Sequence, residues 1–383
     1  MRCGKRAQRK VGRGLGKKLR VAVLFGGKSG EHEVSVQSAA SVLKAIDRNR
    51  FDVIPIAIDK SGEWRIGQKA LPYLEKKGEP ALLESLKSRL PDVSVQGEGM
   101  VPALDWDAVD VVFPVLHGTY GEDGTIQGFF ELANIPYVGA GVLASAVGMD
   151  KVIMKKIFAQ EGLPQGRFSH VLRSRLEREM DRVIEEIEAA FDYPVFLKPA
   201  NLGSSVGISK ATNREELIKG LRLAAQYDRK VVVEEFIPAR EVEVAVLGND
   251  DPQASVPGEI ISSNDFYDYR AKYIDGKSEM RIPADLPAET AEKIRQLAVK
   301  AYRAIDCSGL ARVDFFVRKD NGQVLINEIN TLPGFTQYSM YPKLWEHSGL
   351  SYTDLITKLI ELAMERHREK EKTVTTLKLD EAK

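Results

Sequence analysis

The chain has 383 residues, 43% hydrophobic and 29% charged, with 55 Lys+Arg against 55 Asp+Glu. At about 150 residues per domain this suggests two or three domains with cores of their own, and the balance excludes global disorder. A net charge of zero excludes a bulk basic field for nucleic acid, and no run approaches the roughly 18 apolar residues that span a bilayer.

The zero is a sum of unlike parts. Residues 1–20 hold nine Lys or Arg and no acid, so the remainder has 46 basic against 55 acidic side chains, a net −9. Residues 1–18 have no apolar stretch to serve as a signal-peptide core and read as a solvated basic tail, with an arm drawn to RNA or membrane as the alternative. Cys3 and Cys307 lie far apart, which fits a reducing compartment without a disulfide framework. No Cys/His cluster has zinc spacing.

In chain order, 19–25 is a short apolar strand ending at Gly26-Gly27, and 33–46 has apolar residues at helical spacing. A second strand covers 53–58, residues 78–108 form an irregular insertion, and 111–116 is a buried strand whose Pro114 suggests an edge or an end. Residues 124–134 are helical. Strands alternating with helices imply a parallel sheet covered on both faces. Near 136–141 the pattern resets. One long helix is expected over 144–161 and another over 175–190. A hairpin follows from 195–198 and 206–210, then a helix at 214–227 and a strand at 230–236. Further strands are expected at 241–247 and 255–261, with a long polar loop over 262–277. A helix over 287–305 precedes strands 310–318 and 323–330, joined through Asp320-Asn321-Gly322, a hairpin signal. A helix from 352 to about 368 closes the fold, and the last dozen residues are expected to fray.

Strand parity makes that last hairpin chemically informative, because side chains two apart share a face. Arg312 and Asp314 share one face of their strand, Glu328 and Asn330 one face of the next. Asp314, Glu328 and Asn330 therefore converge as oxygen donors suited to Mg²⁺ or Mn²⁺, a solvated polar face being the alternative. Lys198 ends a strand and opens a small-residue loop holding Gly203, Ser204, Ser205 and Gly207. This loop lacks the Gly-Lys-Ser/Thr of a Walker loop, and it reads either as a plain turn or as a lid over nucleotide phosphates. The strand end at Glu234 and Glu235 offers backbone groups to an adenine edge, and Glu241 is a candidate for ribose. His117-Gly118 and Gly26–Gly30 follow strands where α/β sheets place ligands, and Glu31 is positioned to meet an ammonium group. His117 alone could equally be a structural histidine. Residues 139–144 match G-x-G-x-x-A, but Asp150 comes too soon for the ribose acid and Glu161 ends a helix rather than a second strand, so a dinucleotide fold is disfavoured.

HGTYGEDGTIQG (117–128) and ARVDFF…INEINTLPG (311–334), with GGKSGEHEVS (26–35) and YDYRAKY (267–273), resemble the D-alanine–D-alanine ligases of the ATP-grasp superfamily. The resemblance runs from about Leu19 to near Arg368. It implies an α/β ATP-grasp fold of three α/β or α+β domains: an N-terminal parallel-sheet domain over 19–139, a central lid domain over 140–235 and a catalytic domain over 236–370, with 371–383 as a frayed tail. It implies a cytoplasmic enzyme, usually a homodimer, that joins two D-alanines through a D-alanyl phosphate for peptidoglycan precursors. No nucleic-acid or membrane partner is implied. By resemblance, Lys151, Lys198 and Lys272 hold the ATP phosphates under Ser204-Ser205. Glu234, Glu235 and Ile237 meet adenine, and Glu241 the ribose. Asp314, Glu328 and Asn330 hold two Mg²⁺ or Mn²⁺ ions. Arg312 and the N–H of Gly334 form the oxyanion site. Glu31, helped by His117, fixes the first D-alanine, and Ser339 with the backbone at Met340 the carboxylate of the second. Glu31, Ser204 and Tyr273 form a latch, and Tyr273 favours an amine as second substrate. The alternatives are a D-alanine–D-lactate ligase and a silent ATP-grasp nucleotide-binding protein.

Overall fold

The computed structural model describes residues 18–75, 80–87, 95–96, 103–104, 106–203, 206–261 and 279–375. Residues 1–17 of the expected tail 1–18, much of the expected insertion 78–108, the polar loop 262–277 and the end of the chain beyond 375 lie outside the described residues.

The first sheet is built from β1 (Leu19–Gly26), β2 (Phe51–Ile58), β3 (Trp64–Ile66) and β4 (Val111–Val115). Its order is β3-β2-β1-β4, with β1 parallel to both neighbours and β3 antiparallel at one edge. β1 has nothing polar after Arg20, as a strand buried on both faces must. Pro114 is accommodated because β4 ends the ladder, with only a bridge between Val112 and Tyr137 beyond it. Helix α1 (His32–Ala45) covers one face, and α2 (Thr125–Leu132) packs Phe130 against the other.

The expected single helix over 144–161 is two: α3 (Val142–Met149) and α4 (Lys151–Gln160). Apolar spacing runs through both, but Asp150 takes an extended conformation and its side chain accepts hydrogen bonds from the N–H groups of Val152 and Ile153, starting a new helix. The second sheet follows: β5 (Phe168–Leu172), then α5 (Arg173–Ala190), β6 (Val195–Pro199), β7 (Ser209–Ala211), α6 (Arg214–Tyr227) and β8 (Lys230–Glu235). Its order is β5-β8-β6-β7, all antiparallel, with α5 and α6 packed on it.

The third sheet comprises β9 (Ala239–Gly248), β10 (Gln253–Ala254), β11 (Gly258–Ile261), β12 (Glu279–Arg281), β13 and β14, the last two after helix α7 (Ala288–Ala304). β13 spans Gly309–Arg318 and β14 Val324–Asn330. The path is β12-β11-β9-β13-β14, with β10 also on β9. The strand expected over 255–261 is shortened to Gly258–Ile261: residues 255–257, with Pro257, stand outside the ladder, and a separate short strand, β10, precedes them and pairs with a different stretch of β9. Helices α8 (Met340–His347) and α9 (Tyr352–Lys370) close the fold, and both join the core that also contains Val21, Phe25 and Leu43 of the first sheet and α1. That shared core fixes the first sheet against the third.

Candidate active site

In the hairpin β13–β14 strand parity keeps Arg312 with Asp314 and Glu328 with Asn330, and a one-residue register shift between Asp314 and Phe315 brings the two pairs together. Arg312 pairs with Asn330 and Asp314 with Glu328, and β9 adds Glu243 opposite Asp314 on the other side. Cross-strand partners share a face, so Glu243, Asp314 and Glu328 form a row across three strands. Arg312 donates from Nε to Asp314 Oδ1 at 2.7 Å and from Nη2 to Oδ2 at 2.6 Å, and its Nε is 3.0 Å from Glu243 Oε2. Burial works against its charge, but Asp314 and then Glu243 outweigh it and push its pKa up. Sequence reasoning misses Glu243. Its signal lies in Glu241-Val242-Glu243-Val244, where an acid two residues from Glu241 must share its face.

Asp314, Glu328 and Asn330 offer only oxygen donors, the chemistry hard divalent cations prefer. Among the described residues no group of three His, Cys, Asp or Glu side chains has metal spacing, so the set is two carboxylates and one amide. The amide oxygen of Asn330 also accepts from the N–H of Leu332 at 2.9 Å, which pins the following turn.

On the facing side, the phosphate-binding candidates converge on this row. Lys151 Nζ is 3.7 Å from Glu328 Oε2 and donates to the carbonyl of Leu202 at 3.0 Å. Lys198 Nζ is 2.6 Å from Glu234 Oε2. Lys155, which the sequence does not single out, is 3.0 Å from Glu234 Oε1. In an amphipathic helix reading KVIMKKIF nothing distinguishes it from a surface lysine. Burial alone would raise the Glu234 pKa. Lys155 first, then Lys198, override that and bring it down to about 2. The Glu234 carboxylate is thus engaged within the protein.

This carboxylate makes a checkable contribution to stability. Its folded pKa lies below the ordinary 4.5, so the stabilisation is present above pH 4.5 and is lost as pH falls through about 2. In Glu234→Gln the loss of unfolding free energy between those limits is expected to shrink by roughly 3 kcal/mol, measured by urea unfolding at a series of pH values. An unchanged acid slope would refute the assignment.

Glu235 accepts from the N–H and Nε of Arg167 at 2.7 and 3.0 Å, and Ile237 packs over Gly166. Beside them Phe168, Val152, Ala200 and Val232 make a small apolar cluster. Glu241 stands exposed near the start of β9, opposite Phe316, and its charge reaches Lys198.

The third side comes from the loops after β1 and β4. Ser29 Oγ donates to the His117 carbonyl at 2.7 Å and accepts from the N–H of Glu31 at 3.0 Å. Gly118 has φ +79°, and a Cβ there would lie 2.7 Å from Glu31 Oε2. A Cβ on Gly203 would lie 3.2 Å from the same oxygen. The Glu31 carboxylate therefore nestles between the 117–121 loop and the loop after β6, in space that only glycines leave. His117 is buried, with Nδ1 3.2 Å from the Leu332 carbonyl and 3.4 Å from Glu122 Oε1, and Nε2 3.2 Å from Ser38 Oγ. Burial pulls its pKa down. Glu122 and then Glu31 outweigh that, so it stands above its ordinary value. Ser38 Oγ also accepts from the N–H of Phe335 at 3.3 Å, tying His117 to the Gly334 turn. A Cβ on Gly334 would meet Ser339 Oγ at 3.2 Å. Ser339 precedes α8, whose first residue, Met340, is buried. Ser204, Ser205, Lys272 and Tyr273 lie outside the described residues, and with them two members of the expected latch.

Two family models match the chain: D-ala D-ala ligase N-terminus over residues 20–140 and D-ala D-ala ligase C-terminus over 157–361. A D-alanine--D-alanine ligase of Natranaerobius thermophilus is 55% identical over 364 residues, covering 94% of this chain and 98% of the relative. One of Acetivibrio thermocellus is 54% identical, covering 93% and 98%. Among solved structures, the D-alanine-D-alanine ligase of Coxiella burnetii is similar with a TM-score of 0.76 and 37% identity, covering 93% of this chain and 96% of that one. VanG, a D-Ala:D-Ser ligase of Enterococcus faecalis, is similar with a TM-score of 0.78 and 40% identity, covering 91% and 100%. With lysines, carboxylates and Arg312 meeting at one place on an ATP-grasp fold, and with relatives this similar over nearly the whole chain, the protein belongs to the D-alanine–D-alanine ligase family.

Proposed function

We propose that the chain joins two D-alanines into D-alanyl-D-alanine at the expense of ATP, yielding ADP and phosphate. The observation that carries this is the meeting of Lys151 with Glu328 at 3.7 Å. It brings the cations that would hold phosphates onto the carboxylates that would hold a divalent ion. A carboxylate oxygen of the first D-alanine attacks the γ-phosphorus and ADP departs. The amine of the second then attacks the acyl carbon, phosphate leaves, and the amine loses a proton.

Each step needs charge and position rather than covalent help from the protein. Lys151 and Lys198 neutralise the phosphates, with Lys272, Ser204 and Ser205 assigned to the same task by resemblance. Glu31 receives the ammonium of the first D-alanine, and His117, held by Glu122 and Ser38, backs it. Arg312 and the Gly334 N–H receive the developing oxyanion, and Ser339 with the Met340 N–H the second carboxylate. Asp314, Glu328 and Asn330 would hold Mg²⁺ or Mn²⁺, which would supply neutralisation of phosphate charge. The strand end at Glu234–Ile237 would take adenine and Glu241 the ribose. We read the chain as three domains, 19–139, 140–235 and 236–370. The three large sheets, each drawn from one of these segments, support that division.

Incubation with ATP, Mg²⁺ and D-alanine is expected to release phosphate and dipeptide in equal amounts. Release of neither would sink the proposal. D-serine and D-lactate as competitors decide the acceptor, for which Tyr273, by resemblance, favours an amine over a hydroxyl. The family resemblance supports a homodimer working in the cytoplasm for peptidoglycan precursors, and light scattering reads the subunit count. Among the described residues no helix is long and apolar enough to cross a membrane.

A further inference from the structure

Lys151, Lys155 and Lys198 are the buried lysines among the described residues, and Lys155, at 3% exposure, is the deepest. The phosphate assignment uses the other two. Lys155 lies one turn beyond Lys151 on the same face of α4. Its ammonium is 3.0 Å from Glu234 Oε1, donates to the Asn327 carbonyl at 3.2 Å and stands 5.8 Å from the centre of the Phe168 ring. Lys198 takes the other oxygen of the same carboxylate at 2.6 Å. Two ammonium groups thus share one carboxylate, an oxygen each, and the trio carries one net positive charge.

The charge count matters because these groups are out of water, where a unit charge acts far more strongly than on a surface. With Lys155 absent, Glu234 and Lys198 would form a closed neutral pair. Such a pair offers nothing to a polyanion and holds Lys198 on its carboxylate. With Lys155 present, Glu234 is already neutralised. The contact with Asn327 has a second consequence, since Asn327 precedes Glu328 on β14.

Resting on the ligase reading above, we infer that Lys155 is a positioning residue for ATP: it neutralises Glu234 so that the charge of Lys198 is left to the phosphates, and it fixes the strand beside Glu328.

Calorimetric titration of the full chain with ATP and Mg²⁺, without D-alanine, tests this beside steady-state kinetics. Lys155→Met is expected to weaken ATP binding about tenfold or more, while kcat at saturating ATP stays within about threefold of the parent. Lys155→Arg should retain most of the affinity. The decisive variant is Lys155→Met combined with Glu234→Gln. Removing the carboxylate charge frees Lys198, so the double variant should bind ATP more tightly than Lys155→Met alone, whereas a merely structural lysine gives additive losses. Wild-type affinity in Lys155→Met, or a double variant weaker than the single, overturns the inference. Should Lys155→Met unfold, Lys155→Gln, which keeps a donor for Asn327, carries the same two expectations. A parent chain that binds no ATP would instead sink the ligase reading.

Discussion

Arg312→Met is expected to lower kcat by about 10²–10³-fold while ATP affinity changes by less than about threefold. The guanidinium lies between Asp314 and Glu243 rather than against the lysines that would hold the phosphates. Its Nε and Nη2 are held by these acids, on a strand whose next face-sharing residue is a metal candidate. Two anionic neighbours orient it as a fixed fork, and preorganised charge of that kind accelerates a step in which an oxyanion develops. Arg312→Lys keeps the charge and loses the fork, so its kcat should fall between those of parent and Arg312→Met. Removing the cation leaves Glu243 and Asp314 opposite one another, so thermal unfolding must accompany the kinetics. Lys at this position relieves that repulsion and separates a folding defect from a chemical one. An equal fall in kcat and ATP affinity would mean that Arg312 serves only to hold the sheet together.

That arginine is legible from the sequence alone, and the reason is physical. Strand parity has a period of two, and the turn Asp320-Asn321-Gly322, with Gly322 at φ +70°, sets the register of β13 on β14 from Val317 opposite Val324 to Phe315 opposite Ile326, after which a one-residue shift that skips Asn327 brings Glu328 opposite Asp314. Parity says which side chains share a face within each strand, whereas the shift that makes Asp314 meet Glu328 is not legible in the sequence. The same logic carries the first sheet, whose apolar runs have few alternatives. Elements that depend on partners remote in sequence are harder to read. β3 and β5 are short and mixed in polarity, and they exist because Ile56–Ile58 and Lys230–Glu234 offer edges for them. The break at Asp150 is a side-chain cap inside an unbroken apolar period. Its signal, an Asp just before an apolar helix, is present but is outweighed by the periodicity. Lys155 and Glu243 escape sequence reasoning for a different reason. Each looks like an ordinary charged residue on an amphipathic element. Only the third dimension shows that Lys155 faces Glu234 and that Glu243 faces Arg312.

The net −9 outside residues 1–20 also takes on a local meaning. A chain with an acidic remainder binds a polyanion only by concentrating its cations, and the buried lysines do so around two carboxylates. Each ammonium lies against an acid that offsets the cost of taking it out of water, Glu234 for Lys155 and Lys198 and Glu328 for Lys151. The acids that make the total negative are therefore part of what holds the cations in the cleft.

Glu31→Gln should lower kcat/KM for D-alanine by about 10²–10³-fold and leave ATP binding within about twofold, since truncating one member of a buried charge pair costs about 2–5 kcal/mol. The carboxylate is wedged against Gly118 and Gly203, residues from two different regions of the fold. Its position therefore depends on both loops as well as on its own strand end. Gly118→Ala provides an independent test. A Cβ there would fall 2.7 Å from Glu31 Oε2 on a residue at φ +79°, so the carboxylate must move although it is still present. The variant should share the D-alanine defect and lose a further 1–2 kcal/mol or so of stability for the left-handed backbone. His117 gives a readout that does not depend on turnover. Glu31 is one of the anions that raise its pKa, so Glu31→Gln should lower that pKa, followed by imidazole NMR. A normal response to D-alanine in both variants would remove Glu31 from the ammonium site. A normal response in Gly118→Ala alone would show that the loop yields and that the carboxylate keeps its place without help from the glycine.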